Sequence, residues 1–258
     1  MTPAFFYSEQ VDAPPRVEAC WETTVSVDGD YVVLPDGRMD LIVRFQVSPD
    51  GCLTQPTVMI IGASSVPTTV PVREAQVFMG IRFKPGYGAC LGVPPTRLAD
   101  DALHGQEARA VLPDQVAAVL DASQMTVART AMRKLALVVA SRHIRMAPAA
   151  LTAIDRIHSS GGRTSVALLA QELRVPERTL RRQMHDAIGL TPKQFASVMR
   201  FQRTMRLLDS GSQGSLAEIA IEGGYSDQAH MTREFRRHGG FTPGDRPPAT
   251  LVTLPLAD

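Results

Sequence analysis

A chain of 258 residues, 44% apolar and 5% aromatic with a net charge of +1, is long enough for two ordinary domains with buried cores. No run approaches the roughly 18 apolar residues of a membrane-spanning helix. The opening MTPAFFYSEQVDAPPR lacks a basic segment leading into an apolar one, so a cytoplasmic location is expected. Cys20, Cys52 and Cys90 are widely separated and share no metal-ligand spacing, which argues against a disulfide framework and a zinc site.

Residues 21–86 read as strands. VSVDGDYVVL alternates around Asp28-Gly29, a hairpin signal, and Pro35-Asp36-Gly37 makes a second turn. MDLIVRFQV puts Met39, Leu41, Val43, Phe45 and Val47 on one face and Asp40, Ile42, Arg44 and Gln46 on the other. TVMIIGA, TTVPVR and AQVFMGIRF follow at short intervals, which suggests an antiparallel barrel or sandwich rather than a βαβ fold. Asp40, Arg44 and Arg82 lie on polar faces; they either point into solvent or line the barrel and hold a polar effector.

After Gly92 the pattern turns helical. Residues 96–103 and 114–120 are short helix candidates. Residues 123–145 form a longer one, with Val127, Ala131, Leu135, Val138 and Val139 at helical spacing. This helix packs on its own domain or serves as a dimer seam. Ala147-Pro148 marks a boundary, and PAALTAIDRIHSSGG reads as a helix ending at Gly161-Gly162.

The charge is uneven. Residues 148–247 carry 14 Lys+Arg against 10 Asp+Glu, and 13 of those 14 are arginine, the side chain suited to bidentate contact with phosphate and guanine. The same region spells a pattern twice. SVALLAQELRVPERTLRRQMHDAIGLTP aligns with SLAEIAIEGGYSDQAHMTREFRRHGGFTP, pairing Ser165 with Ser215, Leu180 with Met231, Met184 with Phe235 and Thr191-Pro192 with Thr242-Pro243. Each copy has helix-turn-helix grammar. Ser165 or Ser215 caps the first helix, with Glu218 completing a capping box, and Pro176 or Ser226 opens the second. In that second helix Leu180/Met184 and Met231/Phe235 face the core. Arg178 and Arg182, with Arg181 at the flank, or Ala229, Thr232 and Arg233 beside Gln228, lie opposite the core face, which suits the major groove. Between the copies, PKQFASVMRFQRTMRLLDSG reads as a connecting helix of about 16 residues and about 24 Å.

The stretches GYSDQAHMTREFRRHGGFTP and GLTPKQFASVMRFQR resemble the paired helix-turn-helix domain of the AraC/XylS family of bacterial transcription regulators. The resemblance implies that Arg178, Arg181 and Arg182 read bases in one groove and Gln228, Ala229, His230 and Arg233 in the next. It also implies that Ser165 and Ser215, at helix N-termini, favour phosphates. Arg246 stands where the family has an aromatic, and Pro247-Pro248 ends the second copy. Upstream, LPDGRMDLIVRF and GIRFKPGYGACLGVPPTRL resemble an uncharacterised β-rich domain found ahead of this unit in part of the family.

The expected class is α+β, with an antiparallel barrel-like N-terminal domain bearing appended helices and an all-α C-terminal domain. Four segments follow: a β-rich sensor or effector domain over residues 1–120, a helical connector over 121–147 that packs on its own domain or serves as a dimer seam, the DNA-binding domain over 148–247 and a flexible tail over 248–258. The function implied is sequence-specific transcription regulation on double-stranded DNA; control by a small-molecule effector in the N-terminal domain is left open, since the resemblance carries over no known ligand. RNA polymerase and a second copy of the chain are the other expected partners. No cofactor, metal or catalysis is expected, since no P-loop, G-x-S-x-G, H-E-x-x-H or G-x-G-x-x-G occurs. The alternative is a ligand-binding or protein-interaction module whose DNA binding is secondary and non-specific.

Overall fold

The structure, a computed structural model, describes residues 5–10, 13–210, 214–245 and 251–252. Among the described residues, nine strands form two sheets. β1 (Phe5–Gln10), β2 (Val17–Val25), β4 (Met39–Val47), β5 (Leu53–Ile61), β7 (Gln76–Phe83) and β8 (Ala102–His104) make an antiparallel sheet in the order β1-β2-β7-β4-β5-β8. β3 (Gly29–Val33) lies between β6 (Thr68–Val72) and β9 (Leu251–Val252), antiparallel to the first and parallel to the second. The N-terminal part is thus an antiparallel β unit with appended helices and the C-terminal part is helical, the α+β class that the sequence implies.

Two local expectations fail. The hairpin at Asp28-Gly29 does not form: β2 pairs with β1 and β7, while β3 crosses to the small sheet and pairs with β6. Alternation specifies a two-faced strand but not its neighbour, and Val25, Tyr31 and Val72 make the packing that draws β3 to the second sheet. Residues 96–103 are not a helix. Pro95–Arg97 is a single 3-10 turn, Asp100 takes a left-handed φ of 56°, and β8 follows along β5.

The helices after β8 are α1 (Gly105–Val111), which sequence patterning does not reveal, α2 (Val116–Leu120) and α3 (Met125–Ser141). Ala128, Ala131, Met132, Leu135, Ala136 and Val139 form the buried stripe of α3, which packs on β2 and β7. Val127, expected in that stripe, is 49% exposed, and Leu137 is 59% exposed.

α4 (Pro148–Ser159) starts where the sequence marks a boundary, with Pro148 in its first turn, and ends before Gly161-Gly162. The apolar core nevertheless runs on across this point: Leu41, Ile60 and Phe83 of the sheet belong to one cluster with Ile154, Leu180, Met184 and Phe195. The turn after β3 seals the contact. Leu34 joins Phe201, Met205, Phe235 and Phe241 in a second cluster, and Gln202 donates to the Pro35 carbonyl at 2.6 Å. Gly37, at φ 72°, sits so close to the Phe195 ring that a Cβ there would lie 2.8 Å from it. Of residues 248–258, expected as a flexible tail, Leu251–Val252 pairs with β3; Pro248 and residues 249–250 and 253–258, like Arg246 and Pro247, lie outside the described residues.

Of the two placements left open for Asp40, Arg44 and Arg82, solvent exposure does not hold for Asp40 or Arg82. Asp40 and Arg82, paired across β4 and β7, are 7% and 0% exposed, with Arg82 Nε 3.4 Å from the Asp40 carboxylate and 3.7 Å from that of Asp36. The Trp21 indole N–H donates to Asp40 at 3.0 Å. Burial pushes the Asp40 carboxyl above the usual range, against the pull of the Arg82 guanidinium. Arg44, half-buried, donates to the Thr57 hydroxyl at 3.2 Å. Asp40 and Arg82 bind each other, which leaves the pair compensated without an effector.

Candidate nucleic-acid interface

Two helix-turn-helix units follow α4. The first is α5 (Val166–Glu172) and α6 (Glu177–Ile188); the second is α8 (Leu216–Gly223) and α9 (Gln228–Gly239). α7 (Pro192–Asp209) joins them and spans about 27 Å at 1.5 Å per residue, near the roughly 34 Å between successive major-groove segments on one side of a duplex.

Local chemistry sets these boundaries. The Ser165 hydroxyl accepts from the Leu168 N–H, and Ser215 with Glu218 completes a capping box. Thr191 caps α7, Pro192 fills its first turn and Gln194 closes a further capping box. α6 and α9 end on Gly189 and Gly240 in the left-handed conformation, at φ 89° and 78°. Two details differ from expectation. The cap of α9 is Asp227, whose carboxylate accepts from the His230 N–H at 2.7 Å; Ser226, one residue earlier, donates to that carboxylate instead. An Asp carboxylate accepts a backbone N–H more strongly than a Ser hydroxyl, and these bonds hold its pKa below the usual range. Thr242-Pro243, paired by the repeat with Thr191-Pro192 and so expected to open a helix with threonine as its cap, starts none among the described residues; Thr242 pairs with Asp245 in a tight turn.

α6 and α9 each have a buried back and an exposed front. Leu180, Met184 and Ile188 are at most 2% exposed behind α6, and Met231 and Phe235 are fully buried behind α9. On the front of α6, Arg178, Arg181 and Arg182 are exposed. Arg181 is bonded to Glu177 one turn back at 2.7 Å, whereas Arg178 and Arg182 make no ion pair among the described residues. On α9, Gln228, Ala229 and Arg233 are exposed.

His230 is held differently. Its Nδ1 lies 3.2 Å from the Ser226 hydroxyl, its ring meets Tyr225 edge-on at 5.3 Å, and its Nε2 is 3.9 Å from Glu234. It braces the start of α9 rather than projecting freely. Arg200 of α7, to which the sequence assigns no role, links the α4–α5 connection to the second unit: it donates to the Gly162 carbonyl at 3.1 Å and to Glu234 of α9 at 3.5 Å. Gly161-Gly162, between α4 and α5, and Gly223-Gly224, at the end of α8, are the sequence signal for close approach to α7: a Cβ on Gly162 would collide with the Ala196 carbonyl and one on Gly223 with the Thr204 hydroxyl.

The C-terminal unit is also fastened to the β domain by two histidines, the half-buried His158 and the fully buried His238. The Arg38 guanidinium forms a two-pronged pair with Glu18 and donates to the Asp36 carbonyl at 2.8 Å and to His158 Nε2 of α4 at 3.0 Å. Arginine can only donate, so His158 Nε2 is an acceptor and the ring is neutral. His238, fully buried in α9, donates from Nδ1 to the Ser65 carbonyl at 2.7 Å, and its Nε2 meets the Ser197 hydroxyl at 2.7 Å.

Burial, the largest influence on both, lowers the His158 and His238 pKa values. The unfolded chain therefore takes up protons first as pH falls below the ordinary histidine value of about 6.5. Stability is expected to be full above that pH and to decline below it, by at most about 1.4 kcal/mol per pH unit for each histidine. Urea titrations at pH 7.5 and 5.5 check this, above the range where free carboxylates of pKa about 4 titrate. Equal stability at the two values would contradict neutral burial.

Residues 169–245 match the family model described as "Helix-turn-helix domain", and residues 14–104 match "Domain of unknown function (DUF6597)". Among curated proteins, the chain is 34% identical over 77 residues to the HTH-type transcriptional activator RhaS of Escherichia coli strain SE11, covering 30% of this chain and 27% of that one. The chain thus matches only about a quarter of the length of this relative. Among solved structures, ToxT of Vibrio cholerae aligns over 93% of this chain and 96% of its own at 11% identity and TM-score 0.45. The C-terminal domain of AraT, a response regulator from Geobacillus stearothermophilus, aligns over 39% and 84% at 22% identity and TM-score 0.36.

Proposed function

We propose that this chain, whose C-terminal domain is a helix-turn-helix pair of the AraC/XylS type, is a sequence-specific, double-stranded DNA-binding transcription regulator of the cytoplasm. The observation that carries the reading is the duplicated recognition helix. In both copies a fully buried apolar back supports an exposed front, with Arg178 and Arg182 on one and Gln228 and Arg233 on the other. Arginine contacts to phosphates supply affinity independent of sequence, and a few bidentate contacts to base edges supply the preference. Ser165 and Ser215 cap the helices whose N-termini approach the backbone. RNA polymerase, a second copy of the chain and a small-molecule effector are the further partners of this reading, and it assigns the chain no catalysis.

The test is a random-oligonucleotide selection on the full chain, because the shared core makes the C-terminal part an unsuitable fragment. A recovered motif supports the reading; recovery of unrelated sequences favours a module with secondary, non-specific DNA binding. On the recovered site, Arg182→Ala and Arg233→Ala are each expected to weaken binding by about 1–3 kcal/mol and to relax base preference at one position. An equal loss on random DNA would make that residue a phosphate contact instead.

A further inference from the structure

α7 is the covalent bridge between the two recognition helices, but it is not their only connection. Each also touches the β domain, at its C-terminal end. Gly189, the last residue of the α6 cap, lies against the Pro95 carbonyl so tightly that a Cβ there would stand 2.5 Å from it. At the end of α9, His238 donates to the Ser65 carbonyl, in a site where both residues are at most 2% exposed.

The two β-domain segments involved, 62–66 and 95–101, are themselves knit together. Asp100 accepts from the Ser65 N–H, from the Ser65 hydroxyl at 3.0 Å and from the Ser64 hydroxyl at 3.2 Å. Main-chain bonds run from the Asp100 N–H to the Ala63 carbonyl at 3.1 Å and from the Gly62 N–H to the Asp101 carbonyl at 3.0 Å. Contact at the C-terminal ends leaves the halves that bear Arg178, Arg182, Gln228 and Arg233 uncovered.

We infer that segments 62–66 and 95–101 form one strut that fixes the separation of the two recognition helices, and so the spacing between the two half-motifs that the chain accepts. The inference rests on the proposed DNA-reading function. It makes Asp100 and His238 positioning residues that touch no base. A helix pair joined by α7 alone can swivel about the ends of that helix. A pair braced at a second point cannot follow a duplex in which one base pair has been added, which moves the second half-motif by about 3.4 Å and turns it by about 35°.

The experiment measures binding of the full chain to duplexes that carry its selected motif with the two half-motifs moved apart or together by one and two base pairs. The wild-type chain is expected to lose about tenfold or more in affinity per base pair of displacement. Asp100→Ala and His238→Gln are expected to flatten that dependence to within about threefold while keeping the same base preference inside each half-motif. Asp100 is exposed, so Asp100→Ala loosens the strut without opening the core, and it carries the test should His238→Gln fail to fold. An unchanged spacing preference in a folded Asp100→Ala chain overturns the inference. So does tighter binding of that variant at the wild-type spacing, which would mean that the contact opposes DNA binding. A wild-type chain that selects only one half-motif overturns it too, whereas one that selects no motif overturns the reading on which it rests.

Discussion

Arg38→Ala is expected to destabilise the chain by about 3–5 kcal/mol, as measured by urea denaturation, because it leaves a buried carboxylate without its partner. Arg38 is 2% exposed and its side chain binds Glu18, the Asp36 carbonyl and His158 together, so one substitution removes the donor for three acceptors. Both faces of the junction feel the loss, since Glu18 and Asp36 belong to the β domain and His158 to α4. Removing both charges has a different outcome. In Glu18→Leu with Arg38→Met no bare charge remains, and much of the stability should return. A single-variant loss below about 1 kcal/mol would place the pair among weak surface bridges and refute its role in docking.

Phe235→Ala is expected to cost a further class of contact, about 3–5 kcal/mol, through the cavity left behind α9. Phe235 is fully buried, meets the Phe201 ring edge-on at 5.0 Å and Phe241 at 6.1 Å, and shares its cluster with Leu34 of the β domain. The aromatic ring is therefore common to the linker helix, the second unit and the turn after β3. Under the proposed DNA-reading function, binding should fail selectively: the half-motif assigned to α9 loses protection in footprinting, while the half-motif assigned to α6, whose back is Leu180 and Met184, persists. Phe235→Leu, which refills most of the space, should recover most of the loss. Uniform loss across both half-motifs would show that the units do not read separately.

The helices of the C-terminal part were legible because their signals are short-range. Ser165, Ser215 and Thr191-Pro192 act on amides three residues away, and Gly189 and Gly240 on the last turn of their own helices. The exposed fronts of α6 and α9 were legible for the same reason, since a 3.6-residue period separates Leu180 and Met184 from Arg178 and Arg182 without reference to anything distant. Where two local signals compete, resolution falls to one residue: Ser226 and Asp227 are both good caps, and the carboxylate won.

Strand faces were equally plain, as Leu41, Val43 and Phe45 show, but strand partners were not. A period of two says which side of β3 is apolar and nothing about whether β2 or β6 lies beside it. The same ignorance covered Asp40 and Arg82. Polar residues on a strand read as solvent-facing until it is known that the partner strand supplies the opposite charge and the rest of the chain covers both. Residues 96–103 failed in a third way, with an apolar pattern overridden by Pro94-Pro95 and by the left-handed turn at Asp100.

The amino-acid sequence by itself thus determined the elements whose stabilising partners lie within one or two helical turns: the capped helices, the duplicated unit with its buried backs, and the alternating strands. Tertiary structure alone decided what those elements meet. It set the sheet order, the union of the β domain and the first helix-turn-helix in one core, the neutral state of the half-buried His158 and the buried His238, and the contact of α6 and α9 with one knitted pair of β-domain segments. The physical reason is range. Capping and periodicity act over a few ångströms of contiguous chain, whereas Arg38 and His158 lie 120 residues apart and Ser65 and His238 lie 173 apart, and only the packed fold brings such groups within 3 Å.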